Sequence, residues 1–157
     1  MKIKEIVEGV SGKGYGSLTL ESSSVDKIKA LCKEIGVNGI ISKLHITVIY
    51  DRSNPNISMK LDNTKKYKAT VDGVKCLGEP DSKWYAIALE LTSPEITAVH
   101  KKYIDAGFKH SYPNFIPHLS LKYQPSKEEI ELIKDNLNKF KGLELVFSNE
   151  RMKVIDE

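Results

Sequence analysis

Two segments of the chain repeat one order of residue types: a histidine, an apolar residue, a hydroxyl residue and a second apolar residue. They are His45-Ile46-Thr47-Val48 and His118-Leu119-Ser120-Leu121. Alternate side chains of a β-strand share one face, so each histidine would lie beside the hydroxyl two positions later. One imidazole can accept a proton while the other donates one, and the hydroxyls can hydrogen-bond phosphate oxygens as charge develops. The repeat therefore predicts acid–base chemistry at a phosphate group.

No metal or cofactor is expected in this chemistry. The sequence has no His-x-x-x-His pair, no cysteine pair at metal-binding spacing and no cluster of histidine and aspartate. Phosphoryl chemistry depends mainly on positioning and electrostatics, which side chains can supply. The other two histidines, His100 and His110, lack the repeated pattern, and we expect ordinary structural roles for them.

Size and charge limit the possible partners. The chain has 157 residues, which fits a single domain over residues 1–157, or two small lobes that share a core. The net charge of +3 argues against binding to duplex nucleic acid, but it is compatible with a small anionic ligand in a locally basic cleft. We expect a monomer or a weak oligomer.

The sequence also indicates a cytoplasmic location. The segment Met1–Glu5 alternates charged residues and offers no apolar leader, and no apolar run reaches the roughly 20 residues of a membrane span. Cys32 and Cys76 are the only cysteines, and their number and spacing do not indicate a disulfide framework. We therefore expect reduced thiols and no membrane contact.

The order strand, helix, motif strand is predicted twice. The first unit has a strand over Tyr15–Leu20, a helix capped by Ser22, Ser23 or Ser24 and ended by Gly36, and the motif strand Leu44–Tyr50. The second unit has a strand over Trp84–Leu91, a helix from Ser93-Pro94-Glu95 to Gly107, and the motif strand His118–Tyr123. Two such units facing each other would bring both histidines to one cleft.

Strands and helices are interleaved without the long rhythm of a parallel sheet, which indicates an α+β fold. Alternating residues over Tyr67–Cys76, interrupted by Asp72-Gly73, indicate a hairpin or a bulge. A capping box at Ser126 starts a helix that is expected to reach Phe140. Two closing strands are expected over Leu143–Phe147 and Met152–Ile155.

Aromatic and basic residues near the motifs are candidates for ligand contacts. Rings near predicted loops and strand ends can stack on nucleotide bases, and these are Tyr15, Trp84, Tyr112 and Phe115. The basic candidates for phosphate or base contacts are Arg52, Lys83 and Lys122. Packing in the core, or simple solvation, remains open for each of them. Tyr50 and Tyr123 each follow a motif histidine by five positions, which on an unbroken strand favours packing on the opposite face.

The paired motifs resemble the signature of the 2H phosphoesterases, enzymes with two His-x-Ser/Thr-x motifs on facing lobes. The resemblance implies a bilobal fold of two intertwined, pseudo-symmetric antiparallel-sheet lobes with outer helices around a central cleft. It also implies catalysis without a metal, on phosphodiester bonds beside a ribose 2′-hydroxyl or on cyclic phosphates. Within that superfamily the segment Leu44–Ser53 and the late strand Leu143-Glu144-Leu145 resemble the phage anti-CBASS protein 1 family. This second resemblance implies hydrolysis of cyclic di- and trinucleotide immune messengers in the host bacterial cytoplasm.

The resemblance also implies roles for individual residues. The catalytic set would be His45, Thr47, His118 and Ser120, with Glu144 as an acidic partner of a histidine, while Tyr15 and Trp84 would stack on bases. Ser120 stands where threonine is common in that family, and the hydroxyl is retained. In the implied mechanism one histidine deprotonates a ribose 2′-hydroxyl, which attacks the adjacent 3′-phosphate, and the other protonates the departing 5′-oxygen. The sequence does not assign the two roles.

Three alternatives stay open at this point. The chain is compatible with a 2H phosphoesterase that acts on linear RNA ends or on 2′,3′-cyclic phosphates, although a net charge of +3 disfavours a long RNA groove. It is also compatible with a binding protein that sequesters a nucleotide without cleaving it, or with an interaction domain. The polar composition of residues 52–59 permits, but does not predict, a lid over the ligand.

Overall fold

The computed structural model of the chain describes residues 13–112 and 114–155. Residues 1–12, on which the expected lack of a leader depends, lie outside the described residues, as do both ends of the expected domain. The described part contains six strands and four helices, which confirms the α+β class. The strands are β1 (Tyr15–Leu20), β2 (His45–Tyr50), β3 (Tyr67–Leu77), β4 (Ala86–Thr92), β5 (His118–Tyr123) and β6 (Glu144–Lys153). The helices are α1 (Ser22–Ile35), α2 (Pro94–Ala106), α3 (Lys127–Asp135) and α4 (Leu137–Phe140).

Hydrogen bonds join the strands into one antiparallel sheet in the order β2-β1-β6-β3-β4-β5. Each half of the sheet has the same arrangement from its edge inwards. The motif strand (β2 or β5) is outermost, the first strand of its unit (β1 or β4) is next, and a central strand (β6 or β3) follows. The two motif strands are therefore the outermost strands, and each strand–helix–strand unit lies on its own side of the β6–β3 pair.

The sheet curves so strongly that its two outermost strands meet. In a flat sheet of six strands, β2 and β5 would be about 24 Å apart, at about 4.8 Å for each neighbouring pair. Instead, their Cα atoms come within 8 Å of one another. The segment that leads into β2 is also bonded to β5, because the Ile41 amide donates to the Leu121 carbonyl at 2.8 Å. Curvature of the sheet thus brings the two motifs to the same place.

Strand β2 contains a β-bulge directly after its hydroxyl residue. Thr47 pairs with Ser17 and Ile49 pairs with Gly16, so Val48 is an extra residue without a counterpart on β1. Val48 and Ile49 are both fully buried. An extra residue resets the alternation of faces, because two residues of one strand then oppose a single residue of its neighbour.

Strand β5 carries the same irregularity at the equivalent point. Ser120 pairs with Ala88 and Lys122 pairs with Ile87, which leaves Leu121 as the extra residue. In both motifs, therefore, the fourth position is the bulged residue. The sequence of neither motif indicates a bulge, because it contains no glycine or proline.

The bulges change the expected orientation of the two tyrosines that follow the motifs. Tyr50 pairs with Tyr15 on β1, and Tyr123 pairs with Ala86 on β4. Because β1 and β4 keep their alternation over these residues, each tyrosine returns to the face of its motif histidine. The expectation that they pack on the opposite face is wrong, and the extra residue in each strand is the reason.

Two helices begin as their sequences predict. The Ser93 hydroxyl accepts a hydrogen bond from the Ile96 amide at 3.0 Å, and Pro94 follows as the first residue of α2. Helix α2 ends at Gly107, whose φ of 115° favours glycine. At α3, Ser126 and Glu129 form the reciprocal bonds of the capping box, at 3.1 and 2.9 Å.

Other boundaries differ from the prediction for local reasons. Helix α1 follows Glu21, whose carboxylate accepts from the Ser148 hydroxyl and makes no cap, while the buried hydroxyl of Ser24 accepts from the Val146 amide. The last predicted helix is divided at Asn136, whose side-chain amide donates to the Leu132 carbonyl at 2.7 Å. At Asp72, between two paired segments of β3, the structure has a bulge rather than a hairpin.

The two predicted closing strands form the single strand β6. The residues between the two predicted strands are polar, but Glu150 is buried and its carboxylate has hydrogen-bond partners. It accepts hydrogen bonds from Lys102 at 3.0 Å, from the Tyr103 hydroxyl and from the Asp62 amide at 2.9 Å. Asn149, with a φ of 59°, absorbs the register shift of β6 against β1.

Within the described ranges, no helix is long and apolar enough to cross a membrane.

Candidate active site

Both motif histidines are held in the same way by the backbone. The Nδ1 atom of His45 donates to the Lys43 carbonyl at 2.9 Å, and that of His118 donates to the Ile116 carbonyl at 2.5 Å. A carbonyl oxygen can only accept, so the hydrogen must be on Nδ1 in each ring. In the neutral ring, Nε2 then carries the lone pair and is available for proton transfer. Each motif histidine is thus bonded through Nδ1 to the carbonyl of the residue two positions before it, and Nε2 is the remaining nitrogen in both rings.

The first motif is assembled around the hydroxyl of Tyr15. This hydroxyl lies 3.0 Å from Nε2 of His45 and accepts a hydrogen bond from Thr47 Oγ1 at 3.1 Å. Since it accepts from Thr47, it can donate its own hydrogen to His45. The histidine and the threonine therefore share one face, as the spacing predicts, and both reach the same oxygen atom.

The second motif lies on the facing strand. His118 and Ser120 are half-buried and pair with Glu90 and Ala88, respectively. Directly opposite residues of an antiparallel pair share a face, so the small Ala88 side chain leaves the Ser120 hydroxyl uncrowded from that side.

Electrostatic effects between groups of the two motif regions are consistent with one shared cleft. Burial raises the pKa of Tyr123 on β5, and the nearby Tyr15 of β1 adds to the increase. Burial lowers the pKa of His110 to about 4, with smaller contributions from the charges of His100 and His118, while Asp51 acts in the opposite direction. His110 is thus neutral at pH 7.

Aromatic rings extend from the first motif. Tyr50 contacts Tyr15 edge-on, and it also contacts Tyr112; each pair of ring centroids is 5.7 Å apart. The Arg52 guanidinium lies 5.6 Å from the centroid of Tyr112 and donates to its hydroxyl at 3.3 Å. Lys153 of β6 places its ammonium group 5.0 Å from the Tyr15 ring, a contact that no pattern in the sequence indicated.

A second aromatic pair lies beside the second motif. Trp84 meets Tyr123 edge-on with ring centroids 5.5 Å apart, and Lys83 lies 5.0 Å from the Trp84 ring. Trp84 is 62% exposed, an unusual exposure for so large an apolar side chain. An exposed indole next to a motif strand is suited to stacking on a base.

Three residues singled out from the sequence are not brought to these rings. Phe115 is stacked on His100, with centroids 4.0 Å apart and planes within 5° of each other. The Lys122 ammonium binds the Glu129 carboxylate on α3 and the Asn38 carbonyl, so it ties the segment after α1 to β5. Glu144 is exposed on β6 and pairs with Thr70 of β3. That position is three strands from β5, about 14 Å across the sheet.

His100 and His110 have a more specific role than the sequence suggested. The Nδ1 atom of His100 donates to the Val48 carbonyl at 2.7 Å, and Nδ1 of His110 accepts from the Tyr50 amide at 3.1 Å. Their rings meet edge-on at 4.9 Å. Both bonds are made to the bulge of β2, which the sequence does not reveal, and this is why the residues were missed.

Hydrogen bonds hold the segment after β2, for which the composition of residues 52–59 permits a lid. Asn54 accepts from the Gly14 amide at 3.1 Å and from the Ile155 amide at 2.9 Å. The buried carboxylate of Asp51 accepts from the Lys109 amide at 2.8 Å.

Among residues 13–112 and 114–155, no group of three or more His, Cys, Asp or Glu side chains is arranged to hold a metal ion.

Comparison with known proteins gives one family and a similar phage protein. The sequence profile of the family described as Anti-CBASS protein Acb1 matches residues 14–157, which include both motifs. The chain is 29% identical, over 125 residues, to a protein named Anti-CBASS protein Acb1 from Vibrio phage KVP40 (isolate Vibrio parahaemolyticus/Japan/Matsuzaki/1991). The alignment covers 78% of this chain and 79% of the phage protein.

Proposed function

Because the chain belongs to the Acb1 family of anti-CBASS proteins, we propose that it hydrolyses cyclic di- and trinucleotide messengers of bacterial immunity in the cytoplasm of an infected host cell. One observation carries the chemical part of this proposal. The two outermost strands, which approach each other within 8 Å, each hold a histidine by its Nδ1 atom. Nε2 is therefore the nitrogen for proton transfer in both rings, and in His45 it lies 3.0 Å from the Tyr15 hydroxyl.

The fold that we propose is the bilobal arrangement of the 2H phosphoesterases. Each lobe would consist of a strand–helix–strand unit and one central strand, with the cleft between β2 and β5. The strand order and the two equivalent bulges support this arrangement.

The proposed reaction begins with ligand binding between the aromatic groups. One base would stack near Tyr15 and Tyr112, and another on Trp84, with Arg52 close to the phosphates. The scissile phosphate would then take over the hydrogen bond that Thr47 now gives to Tyr15, and the Ser120 hydroxyl would approach from the other strand. Hydroxyl donors stabilise the negative charge that builds on the phosphate oxygens during attack.

In the first chemical step, one motif histidine takes the proton of a ribose 2′-hydroxyl, and the 2′-oxygen forms a bond to phosphorus. The bond from phosphorus to the 5′-oxygen breaks, and the other histidine protonates that oxygen. The product is an opened chain that ends in a 2′,3′-cyclic phosphate. In a second step, the histidine that gave up its proton takes one from water, and the water oxygen forms a bond to phosphorus. The bond from phosphorus to the 2′-oxygen breaks, the other histidine protonates that oxygen, and the chain ends in a 3′-phosphate. Each histidine then returns to its starting protonation state.

The test is a substrate panel of cyclic dinucleotides, cyclic trinucleotides and linear RNA, separated by chromatography after incubation. We expect the cyclic ligands to be opened in the presence of EDTA. Cleavage of linear RNA alone would instead support an RNA-end phosphoesterase. Recovery of intact cyclic ligand after denaturation would support a sequestering protein.

A further inference from the structure

Strand β2 is an outer strand, so the backbone groups on its free side have no partner within the sheet. Three of these groups are bonded by residues of α2 and the segment after it. His100 donates to the Val48 carbonyl, His110 accepts from the Tyr50 amide, and the Ser111 amide donates to the Tyr50 carbonyl at 2.7 Å. The three bonds are made at Val48, the bulged residue, and at Tyr50, two residues later.

The two imidazoles act in opposite senses. His100 donates through Nδ1, because its partner is a carbonyl, whereas His110 accepts through Nδ1, because its partner is an amide. Their neutral rings are therefore opposite tautomers. The stacking of Phe115 on His100 and the edge-on contact between the two histidines fix both ring planes.

The bulge determines where Tyr50 lies. Without the extra residue Val48, the strand would present Tyr50 to the opposite face of the sheet. With it, Tyr50 packs between Tyr15 and Tyr112. Tyr15 in turn contacts His45 and Thr47, so the chain of contacts runs from His100 and His110 to the first motif.

We propose that His100 and His110 are positioning residues, which hold the bulge of β2 so that Tyr50 stays in the cyclic-nucleotide cleft. This inference rests on the proposed function for its ligand. The bulge follows Thr47 and does not include it. The two histidines therefore fix the position of Tyr50 and of the rings that it contacts more than the position of the reacting groups. Their loss should therefore weaken binding more than it slows turnover.

The charge state of His110 matches this role. The titratable groups that face it are His100 from α2, His118 from β5 and Asp51 after β2. If His110 were protonated, its Nδ1 atom would carry a hydrogen that faces the N–H group of Tyr50. Two donors would then oppose each other, and the hydrogen bond would be lost.

The experiment compares a variant that keeps the hydrogen bond with one that does not. The side-chain oxygen of His110→Asn can replace Nδ1 as an acceptor, whereas His110→Leu fills the space without one. Affinity for a cyclic dinucleotide is measured by calorimetry in a His45→Ala background, which separates binding from turnover. We expect His110→Leu to raise Kd by about tenfold, the effect of losing one part-buried hydrogen bond. His110→Asn should stay within about threefold of the background protein.

The same comparison applies to His100→Asn and His100→Leu at the Val48 carbonyl. A second readout is the NMR signal of the Tyr50 amide, which should shift in both leucine variants even without ligand. Unchanged Kd values together with an unmoved Tyr50 signal would overturn the inference. If these results appear as expected while the wild-type protein cleaves no cyclic nucleotide, the proposed hydrolysis fails and the positioning role stands.

Discussion

Val48 and Leu121 are equivalent residues of the two motif strands, and the carbonyl oxygen of each is bonded from outside the sheet. His100 donates to the first at 2.7 Å, and the Ile41 amide donates to the second at 2.8 Å. Each is the extra residue of a β-bulge that follows the motif hydroxyl. The repeated motif is therefore a repeat of backbone geometry as well as of side-chain chemistry.

The motif hydroxyls give the first prediction. Ser120→Thr keeps an oxygen on Cβ, whereas Ser120→Ala removes it, so only the second variant loses a donor to the phosphate. We expect Ser120→Ala to lower kcat by about 100-fold, as for the loss of one oxyanion donor, and Ser120→Thr to stay within about threefold. Rates are measured under saturating cyclic dinucleotide. Equal rates in both variants would show that the hydroxyl does not touch the reacting phosphate.

Tyr15 offers a test that separates the ring from its hydroxyl group. Tyr15→Phe keeps the ring for stacking, and Tyr15→Ala removes it. Stacking of a base on an aromatic ring contributes about 1–3 kcal/mol, so KM should rise by about tenfold or more in the alanine variant and little in the phenylalanine variant. If phenylalanine is as damaging to KM as alanine, the hydroxyl rather than the ring binds the ligand.

Acid should destabilise the fold over a range of pH set by His110. Burial, helped by the charges of His100 and His118, lowers its pKa from 6.5 to about 4. Between these values the unfolded chain binds a proton that the folded chain does not, so the free energy of unfolding falls as pH falls. The contribution of neutral His110 to the free energy of unfolding is complete above about pH 6.5 and is lost towards about pH 4. Because the ring is part-exposed, the loss is at most about 3 kcal/mol.

Urea unfolding of the wild type and of His110→Asn, at pH 7 and at pH 4.5, measures this effect. The stability of the wild type should fall more between the two pH values than that of the variant, which has no proton to take up. A parallel fall in both proteins would assign the acid sensitivity to other groups, such as the buried carboxylates.

The pH and metal dependence of turnover gives a further prediction. One motif histidine must be neutral and the other protonated, so kcat/KM should rise and then fall with increasing pH. Since side chains supply the proton transfers, EDTA should leave the rate unchanged. A rate that EDTA abolishes and a divalent ion restores would point to a different mechanism.

Much of the fold followed from local signals in the sequence. Ser93, Gly107 and the capping box at Ser126 mark helix ends through short-range hydrogen bonds, and such signals need no knowledge of the tertiary structure. The alternation of His45 and Thr47 with apolar neighbours similarly predicted their common face.

The rest depended on contacts between distant segments. Nothing near Val48 in the sequence indicates a bulge, because the groups that bond its backbone lie some fifty residues away on α2. Glu150 lies between the two closing strands that the sequence predicts, and its burial within one continuous strand depends on its distant partners Lys102 and Tyr103. Lys122 looked available for a ligand, but α3 supplies Glu129 as its partner.

The most direct test of the two-histidine account is the cleavage of a cyclic dinucleotide by the wild type, His45→Ala and His118→Ala, followed by chromatography. The account predicts opened products that carry a 2′,3′-cyclic phosphate or a 3′-phosphate for the wild type. Each variant, with its fold verified by circular dichroism, should be slower by a factor of at least about 100. Cleavage at near wild-type rate by either folded variant would contradict the account.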